Sequence, residues 1–223
     1  MVKIFDEKYL VQSYLVLLKY VHITLSIAVL SMIMAVLLGV ILAVIRMYKF
    51  KVLHRVSEIY ISFFRGTPIL IQLFLFYYGM PQIIPTFKEI PAYMAVVIAL
   101  SMNGSAYMAE IIRGAIMSID KGQMEASLSL GMTEFQAMKR IILPQATRIA
   151  IPSLGNSFID LLKSSSLAFT VGVAEILSKA QMNAASSYRF FENYLAVALI
   201  YWLIVEIFNF IQKILERKIG KAY

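Results

Sequence analysis

Long apolar runs separated by short polar segments make up most of the chain. The run from Val21 to Ile45 carries no formal charge and exceeds the roughly 20 residues that a helix needs to cross about 30 Å of hydrocarbon. Further runs cover about Pro68 to Tyr78, Ala92 to Ile116, Ile149 to Val173 and Tyr194 to Ile211. This pattern predicts five membrane-spanning helices.

The second apolar run has recognisable helix signals at both ends. Thr67 followed by Pro68 suits the N-cap and first position of a helix, and Gly79 and Pro81 predict its end. A kinked helix that continues through Pro68 is the competing prediction.

The remaining segments do not suggest a second folded domain. Residues 1–20 mix charged with apolar positions, which predicts an amphipathic helix on the membrane surface. Gly172 to Glu192 is polar enough for a connecting loop with some helix. The sequence contains neither a repeat nor a linker that would separate two domains, so residues 21–223 are predicted to form a single transmembrane domain of the all-α class.

Composition supports this interpretation, because 60% of the residues are hydrophobic and only 15% are charged. The net charge of +8 would suggest a nucleic-acid partner in a soluble protein, but here the basic residues flank the spans: Arg46, Lys49, Lys51, Arg55, Lys213, Arg217, Lys218 and Lys221. Their distribution follows the positive-inside rule. We therefore expect the bilayer rather than nucleic acid as partner, with the C-terminus in the cytoplasm and the N-terminus outside.

The sequence offers little chemistry for catalysis. It has no cysteine, and His22 and His54 are too isolated to indicate a metal site. The phosphate loop GxxxxGK[ST] and the hydrolase motifs HExxH and GxSxG are absent from the sequence. We therefore expect neither an enzyme nor an ATPase.

One long polar segment interrupts the apolar pattern, at about residues 118–146. Its second part, Glu125 to Ala146, reads EASLSLGMTEFQAMKRIILPQA, and the predicted topology places it in the cytoplasm. It has two plausible roles, a solvated loop helix or a docking element for another protein, and composition alone favours the first.

Several motifs of the chain resemble the permease subunits of bacterial ABC importers. Glu125 and Ala126, then Gly131, then the stretch ending at Pro144 resemble the EAA loop of these proteins, although Ser127 stands where a second alanine is common. The stretches FRGTPILIQLFLFYYGMP, NGSAYMAEIIRGAIMSIDKGQMEAS and PSLGNSFIDLLKSSSLAFTVGVAEIL resemble the polar amino acid uptake subfamily. The resemblance covers about Tyr60 to Leu177.

The resemblance implies a type I ABC importer-like subunit of the bacterial inner membrane, with an N-terminal amphipathic helix and cytoplasmic coupling helices. ATP and Mg²⁺ would bind to two cytoplasmic ATP-binding subunits, and this chain would hold no cofactor. A second permease subunit, identical or different, would complete a dimer. A periplasmic or extracellular binding protein would deliver the amino acid. Glu125, Ala126, Gly131 and Pro144 would couple the chain to the ATPase.

Charged groups within a span are costly and therefore indicate function. At helical spacing, Asn156, Asp160 and Lys163 share one face of the fourth span, and the third span carries a similar face. The latter consists of Asn103, Tyr107, Glu110 and Gly114. Two polar faces on adjacent spans can line one substrate cavity.

Each candidate ligand also has a structural interpretation. Asp160 can pair with Lys163, Asn103 and Asn156 can form interhelical hydrogen bonds, and Tyr107 can simply pack rather than stack on a guanidinium. Glu110 and Arg113 are predicted to form a structural pair or part of a gate. An acid at position 160 is not typical of the subfamily, so it favours a basic substrate: arginine, lysine or histidine.

The sequence therefore predicts a permease that works by alternating access. Two alternatives remain open at this point, an ion-channel subunit and a secondary transporter. The latter usually has inverted repeats and more spans.

Overall fold

The computed structural model describes residues 5–48 and 51–220. Within these ranges it is helical and contains no strand, so the all-α prediction is confirmed. The predictions that concern residues 1–4, Lys49 and Lys221 lie outside the described residues.

The first half of the chain forms six α-helices. They are α1 (Glu7–Leu18), α2 (Val21–Met47), α3 (Lys51–Gly66), α4 (Ile69–Phe74), α5 (Met80–Ile83) and α6 (Ala92–Met117). A π-helical turn, Leu75–Gly79, joins α4 to α5, and a 3-10 turn, Pro85–Glu89, precedes α6.

The second half forms five more α-helices. They are α7 (Lys121–Ser129), α8 (Glu134–Ala137), α9 (Leu143–Ser164), α10 (Ile176–Ser187) and α11 (Phe190–Gly220). A π-helical turn, Met138–Ile142, joins α8 to α9, and a 3-10 turn, Ser165–Val171, follows α9.

Three helices, α2, α6 and α11, are long and apolar enough to cross a membrane. Two further candidates are bent pairs: Val52–Gly66 with Ile69–Ile83, at 112°, and Glu134–Val171 with Ile176–Ser187, at 50°. If each bent pair is one span, the count is the predicted five. The last helix is longer than predicted, and the polar segment from Gly172 to Glu192 contains α10.

The prediction for the second span was correct about a break and wrong about its details. Helix α3 occupies residues that were assigned to a basic loop, and the helical break lies at Thr67 and Pro68. Pro68 rather than Thr67 is the N-cap of α4, with φ −64° and ψ 134°. The Thr67 hydroxyl instead donates to the Phe63 carbonyl oxygen at 2.8 Å, and so belongs to the end of α3.

Pro81 does not end its helix, contrary to the prediction, and Pro144 does not end a helix either. Each follows a π-helical turn by two residues, after Leu75–Gly79 and Met138–Ile142. A proline in an ordinary α-helix clashes with the carbonyl four residues earlier, and the wider π turn moves that carbonyl away. The helical path therefore continues through both prolines.

The centre of the bundle is the contact between α2 and α6. The buried face of α2 consists mainly of small residues: Thr24, Ala28, Ser31, Ala35, Gly39 and Ala43, together with Ile27. Small residues let two membrane helices approach closely. A Cβ atom added to Gly104 of α6 would lie 3.1 Å from the Ala35 Cβ, which shows how close the helices are.

The second helical break is fastened by one buried acid. Glu175 is completely buried and caps α10, because its carboxylate accepts the Ser178 backbone N–H at 2.8 Å. The hydroxyls of Thr24 in α2 and Tyr201 in α11 also donate to it, at 3.4 and 3.3 Å. Glu175 therefore ties the break to two spans.

Helix α1 packs on α11 and α10 rather than standing apart from the bundle. Its buried Leu17 joins a cluster with Ile176, Ala180, Ala196 and Ile200. The apolar residues Val11 and Leu15 lie on the exposed side of the helix. The placement of this helix at the membrane surface stays a prediction.

Gly39→Ala should destabilise the bundle. Its new Cβ would lie 2.8 Å from the Met108 Cβ and 3.2 Å from the Ala109 backbone nitrogen, and such overpacking costs about 1–3 kcal/mol. Thermal unfolding in mild detergent measures the loss. Gly114→Ala is the matched control, because its Cβ would meet nothing within 4 Å. Equal melting temperatures for both variants would contradict close α2–α6 packing.

Candidate functional site

A cavity of about 390 Å³ lies between the turn at Thr67–Ile69, α6 and α9. Three of the predicted substrate ligands, Asn103, Tyr107 and Asp160, line it together. Asn156 is not part of the lining and lies on the exposed surface of α9, whereas its neighbour Ser157 faces the cavity. The predicted meeting of two polar helix faces is therefore found for three of the four residues.

Asp160 forms the ion pair with Lys163 that the spacing suggested, with Oδ1 2.8 Å from Nζ. The two side chains are 73% and 58% exposed in the single chain. An ion pair between exposed groups is worth only about 0.2–1 kcal/mol. The pair therefore leaves the Asp160 carboxylate accessible to another cation.

Asn103 has a structural task at the break between α3 and α4. Its Nδ2 donates to the Phe64 carbonyl oxygen and to Gln72 Oε1, both at 2.9 Å. Because both Nδ2 hydrogens are used, Oδ1 is the atom that Asn103 can offer to the cavity.

Gln72 is the residue at this site that the sequence analysis missed. It is 4% exposed, and its Nε2 donates to the carbonyl oxygens of Phe64 and Thr67 at 3.0 Å and to the Thr67 hydroxyl at 2.8 Å. These carbonyls lie at the interrupted end of α3, where an intrahelical partner is missing. The available signal was a lone amide in the apolar run ILIQLF.

Tyr107 was a candidate to stack on a guanidinium group of the substrate, and here it stacks on the guanidinium of Arg65. The Arg65 guanidinium carbon lies 5.7 Å from the centre of the Tyr107 ring, within range of a cation–π interaction. The ring remains 43% exposed and borders the cavity.

Glu110 forms ion pairs with two arginines rather than with one. Its carboxylate accepts Arg113 Nη2 at 2.8 Å, as predicted for these two residues, and it also pairs with Arg46 of α2. The contact with Arg46 was not predicted, since the two residues are far apart in sequence. The cluster ties the ends of α2 and α6 together.

The turn between α7 and α8 is built from local hydrogen bonds. Gly131 adopts φ +83°, which glycine tolerates without strain. The N–H of Gly131 donates to the Leu128 carbonyl at 2.9 Å, and that of Met132 to the Ser127 carbonyl at 3.1 Å, which is a Schellman motif. Thr133 and Gln136 then form a capping box at the start of α8.

The predicted coupling residues lie at the surface of this segment. Glu125 and Ala126 are exposed on α7, and Pro144 is exposed in the first turn of α9. Two large apolar side chains nearby are strongly exposed as well, Leu130 at 83% and Phe135 at 72%. Exposed apolar patches are common at protein–protein interaction sites.

A reciprocal amide pair joins α7 to α9. Gln123 Nε2 donates to Gln145 Oε1 at 3.2 Å, and Gln145 Nε2 donates back to Gln123 Oε1. Gln145 Nε2 also donates to the Ile141 carbonyl oxygen at 2.8 Å. The polar segment is therefore fixed to the base of the long helix that lines the cavity.

Comparisons with known proteins identify membrane transport proteins that are similar to the chain over most of its length. Residues 35–221 match the family described as binding-protein-dependent transport system inner membrane component. The probable amino-acid ABC transporter permease protein PatM of Vibrio harveyi is 58% identical over 98% of both chains. The probable amino-acid permease protein YxeN of Bacillus subtilis is 49% identical over 98% of this chain and 97% of its own.

A solved structure gives the same result for the fold. It is described as an amino acid ABC transporter with histidines, and its chain is 38% identical with a TM-score of 0.88. The match covers 96% of this chain and 99% of that chain.

Gln72→Met should loosen the turn beside the cavity. The variant keeps the volume but removes the donor to the Thr67 carbonyl and the acceptor of one Asn103 N–H, which costs about 1–3 kcal/mol. The melting temperature in detergent should fall. Gln82→Met is the control, because the exposed Gln82 side chain makes one hydrogen bond among the described residues, to the Tyr78 carbonyl, and its loss should cost less than about 0.5 kcal/mol. A stable Gln72→Met variant would contradict the assignment.

Proposed function

Because the chain belongs to the family of binding-protein-dependent transport system inner membrane components and is a permease subunit of a polar amino acid ABC importer, we propose that it carries basic amino acids. It is a multi-pass protein of the inner membrane with a type I importer fold, and ATP is hydrolysed on a separate subunit. Membership of this family replaces the channel and secondary-transporter alternatives.

The observation that carries the substrate proposal is the acid in the cavity. Asp160 offers an accessible carboxylate, and the hydroxyls of Thr67, Ser157 and Ser164 also border the space. A carboxylate binds guanidinium or ammonium groups through charge-assisted hydrogen bonds. The cavity volume of about 390 Å³ lies within the usual range for small-ligand sites, about 300–1,000 Å³.

The relatives support an amino acid as the substrate. The proposal that this amino acid is basic depends on Asp160. The names of PatM and YxeN specify only an amino acid. The solved relative is described with histidines, and histidine is one of the basic amino acids. In this proposal Asp160 binds the basic side chain, while Asn103 and Tyr107 contact the rest of the substrate.

The exposed face of α9 supports a second permease subunit beside the cavity. Asn156, Asp160 and Lys163 are all exposed at helical spacing, so they form one polar stripe along α9. A polar stripe inside a membrane faces protein or water rather than lipid. A second permease chain, identical or different, would cover this stripe and bring Asn156 into the pathway.

The proposed mechanism is alternating access driven through the polar segment between α6 and α9. Two cytoplasmic subunits bind ATP with Mg²⁺ and close, and α7 and α8 move with them. The Gln123–Gln145 pair would pass this movement to α9, which lines the cavity. A binding protein delivers the amino acid on the outer side, where the N-terminus lies, and the C-terminus stays in the cytoplasm.

Asp160→Asn should lower the uptake of basic amino acids selectively. Loss of one charge-assisted hydrogen bond, about 1.5–3 kcal/mol, predicts a rise in KM of about tenfold or more for arginine and lysine, with little change for glutamine. The measurement is ATP-dependent uptake by the reconstituted importer.

Lys163→Gln is the matched control, because it removes the partner of Asp160 and keeps the acid. It should leave uptake of basic amino acids intact. If both variants behave alike, Asp160 serves the ion pair and the substrate proposal fails.

Glu125→Lys should weaken assembly with the ATP-binding subunits without unfolding the chain. Glu125 is exposed on α7, so the charge reversal changes the proposed contact surface and leaves the buried core alone. Co-purification of the ATPase with the permease measures the effect, and Gly131→Asp should act similarly by straining the turn. Glu89→Lys, an exposed acid at the opposite loop, is the control. Normal ATPase recovery with both loop variants would refute the coupling role.

A further inference from the structure

A second cavity, of about 620 Å³, lies next to the first. The polar and aromatic side chains that line it are Arg46, Glu58, Ser62, Arg65, Tyr107 and Glu110. It therefore presents guanidinium and carboxylate groups to one space.

Neighbouring residues of the chain line the two cavities. Tyr107 borders both of them. Along the chain, Arg65 and Gly66 face the second cavity, and the next three residues, Thr67–Ile69, face the first. On α6, the second cavity extends to Glu110, about one helical turn closer to α7 than Tyr107. The α3–α4 turn and the Tyr107 ring therefore border both cavities, and we call them the wall between the two.

The charges around the second cavity are unevenly paired. Glu110 accepts from both Arg46 and Arg113, and Glu58 pairs with His54 at 3.3 Å. Among the described residues, no carboxylate lies within 4.0 Å of Arg65. Its guanidinium lies over the face of the Tyr107 ring. The buried Arg46 Nε likewise has no acceptor among the described residues. The cavity therefore holds guanidinium donors that lack an acceptor.

We propose that this cavity is a second amino-acid site, in which Arg65 binds the α-carboxylate of the substrate. Guanidinium binds a carboxylate through two parallel hydrogen bonds, and Arg65 has these donors available. The carboxylate of Glu58, 48% exposed, takes the positive end of the ligand. The proposal rests on the proposed function for the identity of the ligand.

The mixed lining favours an amino acid over a phosphate group. A phosphate would be repelled by the carboxylates of Glu58 and Glu110, whereas a zwitterion matches both signs of charge. Substrate that passes the Tyr107 wall from the central cavity would reach Arg65 next. The second site would then hold the amino acid on the side of α7 and α8, before release or when the internal concentration is high.

The test is equilibrium binding of labelled arginine to the assembled importer in lipid nanodiscs, without the binding protein. Two classes of site per permease chain are expected. Arg65→Gln should abolish one class, with a loss of at least tenfold in affinity, and Asp160→Asn should weaken the other. Arg65→Lys, which keeps the charge and loses the planar fork, should bind with intermediate affinity.

Agmatine, which is arginine without its carboxylate, distinguishes the ligand group that is recognised. It should compete at the Asp160 site and fail at the Arg65 site. A single class of site that is unchanged by Arg65→Gln would overturn the proposal. If arginine binds to a class of site that Arg65→Gln removes, but no class is weakened by Asp160→Asn, the substrate proposal is refuted and this one stands. Melting curves of each variant confirm that the chains are folded.

Discussion

The structure depends on one constraint, that a helix interrupted inside a membrane must find partners for its freed backbone groups within the protein. Two of the candidate spans are interrupted, and each break is closed by a buried polar side chain. Gln72 and Asn103 serve the carbonyls at the end of α3, and Glu175 caps α10 and binds the hydroxyls of two other helices. These side chains stabilise the two helix breaks by supplying hydrogen-bond partners for the freed backbone groups.

The break between α3 and α4 also borders the two cavities. At this turn, Arg65 and Gly66 line one cavity and Thr67 and Pro68 line the other. Asn103 holds this turn with its nitrogen and keeps its oxygen for the cavity. Asn103 therefore has a structural role at the turn, and the proposed contact with substrate would add a second role to it.

The apolar runs predicted the spans because burial in lipid leaves a direct mark on composition. Local motifs were also readable, as the Gly131 turn demonstrates. Pro81 was wrongly predicted to end a helix because a π turn leaves no clear mark in the sequence. The bond between Gln72 and Asn103 and the Arg46–Glu110 contact were missed because the partners are distant along the chain and meet only when the helices pack. The proposed coupling role of the polar segment came from resemblance to a family, because composition alone favoured a solvated loop helix.

The amide pair between Gln123 and Gln145 has a consequence for the environment in which the protein works. Both groups are neutral, so dissolved ions do not screen the bond between them and protons do not titrate it. A cation–carboxylate contact at the same place would weaken as cytoplasmic salt rises. The contact between α7 and α9 is thus less sensitive to ionic strength and acidity than an ion pair at the same place would be.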